Sequence, residues 1–346
     1  MVVPCDDLTE ATAGYERVGF DLVATGPADE PTWAELDLIT PHGGLRIRLD
    51  TSAPFGPKPS LRVPGAPPST VPGPPGLTFV DTGPRLDPPS RQARAVSGPA
   101  DGDWVTGRAG MRYRDLIPDR HGGAYIASHI HIPHGGPVPD RVHHHDIGFQ
   151  AIFCHRGWVR VQYQDQGPSF VMQPGDLVLQ PPGIRHRVLG ASDDLYVFEI
   201  ASPASHRTWF EYDQVLPGLR PGRRYGGQRF VHHRSSLRPW TTAEPGWLAQ
   251  LTDVAAATDD AGRVRLLKPS GEAAPVTLAH DDDLRLQFIV AGSARLEGST
   301  SGTAAVELRA GACVTVEPGN DLSLAAASDD LVVLEIRHRQ PGTGVS

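Results

Sequence analysis

The ten residues from Ala191, ASDDLYVFEI, return as ASDDLVVLEI from Ala327, an offset of 136 positions. The same offset carries Gly110 onto Gly246, Pro133 onto Pro269 and Gly175 onto Gly311. A register kept from Gly110 to Ile200 is the mark of a duplicated folding unit, because chance similarity does not hold one spacing over that length. Residues of about 110 to 200 and 246 to 336 are therefore two copies of one module. Inside the first copy, short runs such as AYIASHIHI, WVRVQY, DLVLQ and LYVFEI alternate apolar with polar residues and are separated by Gly, Pro and Asp. A period of two with frequent turn residues predicts antiparallel strands in a sandwich or barrel, and long helical patterns are nearly absent. The expected class is all-β, with two tandem double-sheet modules.

Outside the repeats the sequence changes character. Residues 51 to 105 are interrupted by proline, as in TSAPFGPKPSLRVPGAPPSTVPGPPGL. Proline removes a backbone donor and fixes φ, so this stretch reads as a linker or wrapping arm. Before it, residues 1 to 50 form a small appendage in which FDLVA and GLRIRL look like strands around a more helical EPTWAELDL. The modules proper are placed at 106–205 and 241–340, with a linker at 206–240 that contains LPGLRPGRRYGG.

A chain of 346 residues can bury two ordinary cores without disulfides. Its formal charge of −8 argues against a duplex nucleic-acid partner, which calls for basic surface to displace counterions. A small-molecule partner is expected instead. Lysine occurs at Lys58 and Lys268, so nearly all positive charge is arginine. Cys5, Cys154 and Cys313 are odd in number and far apart, unlike a secreted disulfide framework. The N-terminus lacks a basic start and meets Asp6 and Asp7 early, and no apolar run approaches the ~18 residues of a bilayer span. The sequence-level expectation is a soluble cytoplasmic protein with no membrane partner.

The chemistry is concentrated in RVHHHDIGFQAIFCHRGW, residues 141 to 158. Strand side chains at i and i+2 share a face, so His143 and His145 can address one point while His144 points outward. Further on, GDLVLQPPGIRHRVL places His186 after a PPG turn, on a neighbouring strand. Three imidazoles then converge inside the module as a facial metal site. Gln150 and Cys154 fall on the same strand face as each other. Cys154 is read first as a small buried apolar residue. His129 and His131 share a face on the preceding strand and are candidate substrate-binding or catalytic groups, together with Gln150. Arg185 and Arg187 flank His186 and are expected to point outward.

These spacings resemble a known family. His143, one residue, His145, four residues, Gln150, six residues, Gly157 is similar to the first cupin motif; Gly175, five residues, Pro181, one residue, Gly183, two residues, His186 is similar to the second. The resemblance covers both repeats and implies a bicupin of two jelly rolls. Cupin enzymes usually carry Glu where this chain has Gln150. The departure leaves a divalent ion with neutral protein ligands, a site suited to a small anionic, chelating substrate, and it resembles ring-cleaving cupin dioxygenases of the gentisate type, with three His ligands to Fe(II).

The second copy tests the assignment. Aligning Gly292 with Gly157 puts Leu278 at the position of His143, His280 at that of His145 and Arg285 at that of Gln150, while Leu322 stands where His186 does. One imidazole beside leucine and arginine cannot hold a divalent ion well. The second module is expected to keep the fold and lose the metal. Three functions follow as expectations. The first is an Fe(II)-dependent dioxygenase using O2. The second is a non-redox isomerase, decarboxylase or lyase with one Zn, Mn or Ni ion, and the third is a ligand-binding bicupin without catalysis. Homodimerisation through sheet edges is compatible with each.

Overall fold

The computed structural model describes residues 2–17, 20–40, 43–54, 90, 94–107, 110–210, 216, 218–220, 222–271, 273–298 and 305–340. Most of the expected Pro-rich arm, 55–89 and 91–93, lies outside them, as do 211–215, 217 and 221 of the expected linker.

The alternating runs form two antiparallel sheets in each module. In the first module, the sheet that bears the candidate histidines runs in the order His143–His145, His186–Ala191, Val159–Tyr163, Phe170–Met172. Opposite it lies a sheet ordered Val231–His233, Leu177–Leu179, Phe149–Arg156, Leu195–Ser202, Ile126–Ile132, Arg112–Asp115, Val105–Thr106. The second module repeats the plan, with Trp247–Leu251, Gly262–Pro269, Val332–His338, Leu284–Ala291 and Cys313–Thr315 facing Val276–Thr277, Leu322–Ala325, Ser293–Gly298 and Val306–Arg309. The tandem jelly-roll class read from the sequence is the observed one. Gly157 and Gly292 occupy the same hairpin in the two copies with φ of 79° and 71°, and a Cβ there would meet the hydroxyl of Ser192 or Ser328 within 2.3 or 2.5 Å. Only glycine serves such a turn without strain.

The modules exchange strands. Ala95–Ser97, just ahead of the first module, pairs with Cys313–Thr315 of the second; Val231–His233, just ahead of the second, pairs with Leu177–Leu179 of the first. Residues 95 and 231 are 136 apart, and so are 177 and 313, so the exchange obeys the sequence repeat. It also extends the repeat ahead of Gly110, to Trp104 and Trp240. The two seven-stranded sheets pack face to face through one apolar cluster to which both modules contribute, including Phe149, Phe198, Phe288 and Leu334. The rings of Phe198 and Phe288 lie 4.8 Å apart, Phe149 stacks on His338 at 4.4 Å, and Tyr125 Oη is hydrogen-bonded to His338 Nδ1 at 2.8 Å.

The N-terminal appendage is strand rather than helix over Trp33–Thr40, contrary to the helical reading of EPTWAELDL. Pairing on both sides overrides local propensity: the segment lies between Asp21–Gly26 and Gly43–Asp50, with Ala34 and Leu36 buried. The one helix of ordinary length here is Leu8–Arg17, where Asp7 Oδ1 accepts from Glu10 N at 2.9 Å. Through Asp21–Gly26 and Thr208–Phe210 the appendage continues the histidine-bearing sheet. No helix among the described residues is long and apolar enough to cross a membrane.

Candidate metal centre

His143 and His186 are direct cross-strand partners, and His145 follows on the same face of its strand, as alternation requires. All three are buried, and one ligand nitrogen from each lies within 4.8 Å of the others. Ring centroids are 4.2 Å apart for His143 and His186, 5.1 Å for His143 and His145, and 5.2 Å for His145 and His186. Among the described residues this is the only group of three or more His, Cys, Asp or Glu able to hold a metal ion.

The hydrogen bonds behind the rings decide which nitrogen faces inward. His143 Nδ1 lies 2.7 Å from the Arg141 carbonyl and His186 Nδ1 lies 3.0 Å from the Ile184 carbonyl. A carbonyl oxygen can only accept, so both neutral rings carry their proton on Nδ1 and keep the lone pair on Nε2. His145 Nδ1 meets the hydroxyl of Thr208 at 2.9 Å, which can accept in the same way. The set is three uncharged nitrogen donors, oriented from behind as in ligated histidines, and its chemistry fits a divalent transition-metal ion.

A cavity of about 90 Å³ adjoins the centre, with His145 and His186 in its wall. The remaining lining is mainly apolar and includes Ile130, Ile152, Val161, Met172, Leu195 and Val197. Ala28 and Asp29 also line it, so the appendage closes one side, and Asp29 is anchored by Arg120 at 3.0 Å.

Gln150 reaches this cavity, held at both ends of its amide. Tyr163 Oη donates to Gln180 Oε1 at 3.0 Å, Gln180 Nε2 to Gln150 Oε1 at 2.6 Å, and Gln150 Nε2 to Glu199 Oε1 at 2.8 Å. Tyr163 stacks near His186, and burial raises its phenol pKa well above the ordinary range. Glu199 is thus a carboxylate in the cavity wall that sequence reasoning missed. One signal could have found it: Glu199 recurs as Glu335 in the repeated decapeptide. His206 was missed as well; it lines the cavity with its ring 5.4 Å from His145 and its Nδ1 donating to the Pro203 carbonyl at 2.9 Å.

His129 and His131, the candidate substrate-binding or catalytic groups, are not among the residues that line the cavity. On the strand Ile126–Ile132 the cavity is lined by Ile126, Ser128, Ile130 and Ile132, so the two histidines project from the other face. There Arg114 donates to His129 Nδ1 at 3.4 Å, His129 Nε2 to His155 Nδ1 at 3.1 Å and His155 Nε2 to the Val290 carbonyl at 3.0 Å, which links the modules. Burial, with His155 and Arg114 nearby, lowers the His129 pKa to about 3. His131 stacks on Tyr196 at 4.3 Å and pairs with Asp194. Cys154 is a core residue whose thiol pKa burial raises to about 12, and it is not part of the cavity wall. His144 lies outside the histidine group, its ring near Trp209.

The second module fills the equivalent space. Leu278 and Leu322 are buried where the first module has His143 and His186, and His280 Nε2 lies 2.9 Å from the Val316 carbonyl. Arg285 meets Glu335 at 2.5 Å, Arg265 meets it at 2.6 Å and Gln287 at 2.8 Å. Burial alone would raise the Glu335 pKa, but the two guanidiniums and the amide hold it down at about 2.

No family model matches the chain, and no curated protein matches its sequence. Its backbone is nonetheless similar to that of solved structures. Oxalate decarboxylase from Bacillus subtilis superposes with a TM-score of 0.51 at 15% identity, over 71% of this chain and 76% of that one. Protein Ylba from E. coli superposes with a TM-score of 0.53 at 10% identity, over 75% of this chain and 97% of that one. Identities this low speak for the fold alone, a pair of tandem double-sheet jelly rolls.

Proposed function

We propose that the first module is the catalytic centre of a metal-dependent enzyme. It holds one divalent ion on His143, His145 and His186 and acts on a small anionic, chelating substrate. The observation that carries this reading is the convergence of one ring nitrogen from each of three buried histidines within 4.8 Å, with Nδ1 of His143 and His186 committed to the Arg141 and Ile184 carbonyls. When bound, the ion supplies Lewis acidity or, as iron, a centre for O2 chemistry.

Of the two reaction classes, the non-redox one draws more support from the cavity. Isomerisation, decarboxylation and lyase chemistry need a group that moves a proton, and Glu199 stands in the wall beside Gln150. Gln150 positions that carboxylate through its amide, and the apolar lining excludes bulk water. The Fe(II) dioxygenase reading is favoured by the donor set itself, three neutral nitrogens without an anionic ligand. Elemental analysis of protein purified without chelators or metal-affinity tags separates the two. Manganese, zinc or nickel near one ion per chain, with turnover under anaerobiosis, is the expected result. Iron with substrate-dependent oxygen uptake would move the assignment to the dioxygenase. Retention of no ion, or of two per chain, would overturn the metal-centre reading.

A further inference from the structure

We propose that Gln180, with Gln150, is a substrate-binding residue: each side-chain amide gives one N–H to substrate oxygen that the ion leaves unligated, and the substrate is a 2-oxo- or 2-hydroxycarboxylate. The inference rests on the metal-centre reading above and names the substrate class of that site.

Strand register divides the cavity into two ends. Tyr163 is paired with His186, and further along the same two strands Val161 is paired with Val188. On the facing sheet Glu199 is paired with Ser128, then Val197 with Ile130 and Leu195 with Ile132. All of these residues line the cavity. The hydrogen-bonded chain Tyr163–Gln180–Gln150–Glu199 starts at the ring stacked on His186, so polar groups gather beside the histidines and the far end is apolar.

A count of protons shows what this polar end offers. Each carboxamide nitrogen carries two. Gln180 Nε2 gives one to Gln150 Oε1, and Gln150 Nε2 gives one to Glu199 Oε1. Among the described residues neither amide makes a further side-chain hydrogen bond beyond the one Gln180 accepts from Tyr163, so each retains one N–H. Turning both amides over would reverse the chain and leave this count unchanged, whichever protonation state Glu199 holds. Both glutamines are 1% exposed and lie in the cavity wall, where an amide proton without an acceptor is costly. A ligand that brings an acceptor removes that cost.

The duplication shows that folding does not call for these groups. At the offset of 136, Gln180 becomes Val316 and Ser128 becomes Val264. Tyr163, the partner of His186, is matched by Gly298, the partner of Leu322. The second module keeps the strand pairing, yet it has lost the amide, the hydroxyl and the phenol together with two of the three histidines. A residue needed only for the fold would have no reason to follow the histidines.

The donors are neutral N–H groups, so they call for an acceptor. A 2-oxo- or 2-hydroxycarboxylate that chelates a divalent ion through its 2-oxygen and one carboxylate oxygen has the other carboxylate oxygen left over. Hydrogen bonds from N–H donors to an ionised oxygen are the strong ones. The apolar end is left for the carbon chain.

The test is calorimetric titration of the Zn(II)-loaded protein with 2-oxobutanoate and with ethanethiol, which binds zinc through sulfur and has no oxygen. Gln180→Val, the exchange already present between the two modules, should weaken 2-oxobutanoate binding by about tenfold or more, the worth of one hydrogen bond to a charged acceptor, and leave ethanethiol binding within about twofold. Gln180→Met keeps the side-chain length without the donor and carries the test should the valine variant fail to fold. Unchanged 2-oxobutanoate affinity, an equal loss for both ligands, or a native protein that binds ethanethiol and not 2-oxobutanoate would overturn the proposal. A native protein that takes up no Zn(II) would instead sink the metal centre itself, so the two failures are distinguishable.

Discussion

At the scale of single residues, the centre depends on groups that never touch the ion. Thr208 is buried and fixes His145 through its hydroxyl, so Thr208→Val keeps the shape and removes the acceptor. Loss of such a backing partner costs about 10- to 100-fold in metal affinity. Competition against a chelating dye should show that loss with secondary structure unchanged; full affinity in the valine variant would mean the ring needs no orientation. Gln150→Glu works in the other direction. It replaces the amide that donates to Glu199 with an acid and so puts a second carboxylate beside the first, next to the candidate ligands. Added negative charge should tighten retention of the ion and weaken binding of an anionic probe. If neither quantity moves, Gln150 has no influence on the centre. The histidines were legible because strand alternation and a PPG turn dictate their convergence. Glu199 was not, because a single acid in LYVFEI looks like any solvent-facing position until its neighbours across the sheet are known.

At the scale of elements, the duplicated strands were readable from period two and turn residues, and the jelly-roll class followed from them. The partners of the strands were not readable. Ala95–Ser97 and Val231–His233 fall in segments whose proline, arginine and glycine content suggested linkers, yet each adds to the sheet of the opposite module. Pairing is a long-range choice that no local pattern encodes. The same ignorance hid the outward direction of His129 and His131, since a strand buried on both faces has no sequence mark for which face holds the cavity. One close approach between elements can be tested directly. A Cβ at Gly262 would come within 2.6 Å of the Phe149 ring, where the strand Gly262–Pro269 of the second module meets the first. Gly262→Ala should destabilise the protein by about 1–3 kcal/mol in urea melts, the range for overpacking a close-packed site. Adding Phe149→Leu should recover part of that loss; strictly additive costs would show that the two positions are not in contact.

At the scale of the whole molecule, the shared apolar cluster and the exchanged strands make the modules one cooperative unit, and their interface is acid-sensitive. His338 is buried between the modules with its pKa lowered to about 4, and His129 is held near 3; burial is the main cause for both. Each is neutral in the fold and titrates near 6.5 when unfolded, so the stability it contributes is complete above pH 6.5. That contribution is lost as pH falls from 6.5 toward 4 and 3, because the unfolded chain takes up the protons first. Glu335, depressed to about 2, adds stability that is present above about 4.5 and disappears only at lower pH. The early phase of acid unfolding is thus assigned to interface histidines and the late phase to the buried arginine–glutamate group. Between pH 7.5 and 5 each histidine should cost on the order of 2 kcal/mol. In chelator-treated protein, where the metal cannot contribute, His338→Asn should lower the difference in urea stability between those two pH values and leave the loss below pH 4.5 in place. An unchanged difference would show that His338 does not resist protonation in the folded state, and with it that the interface is not the element that acid opens first.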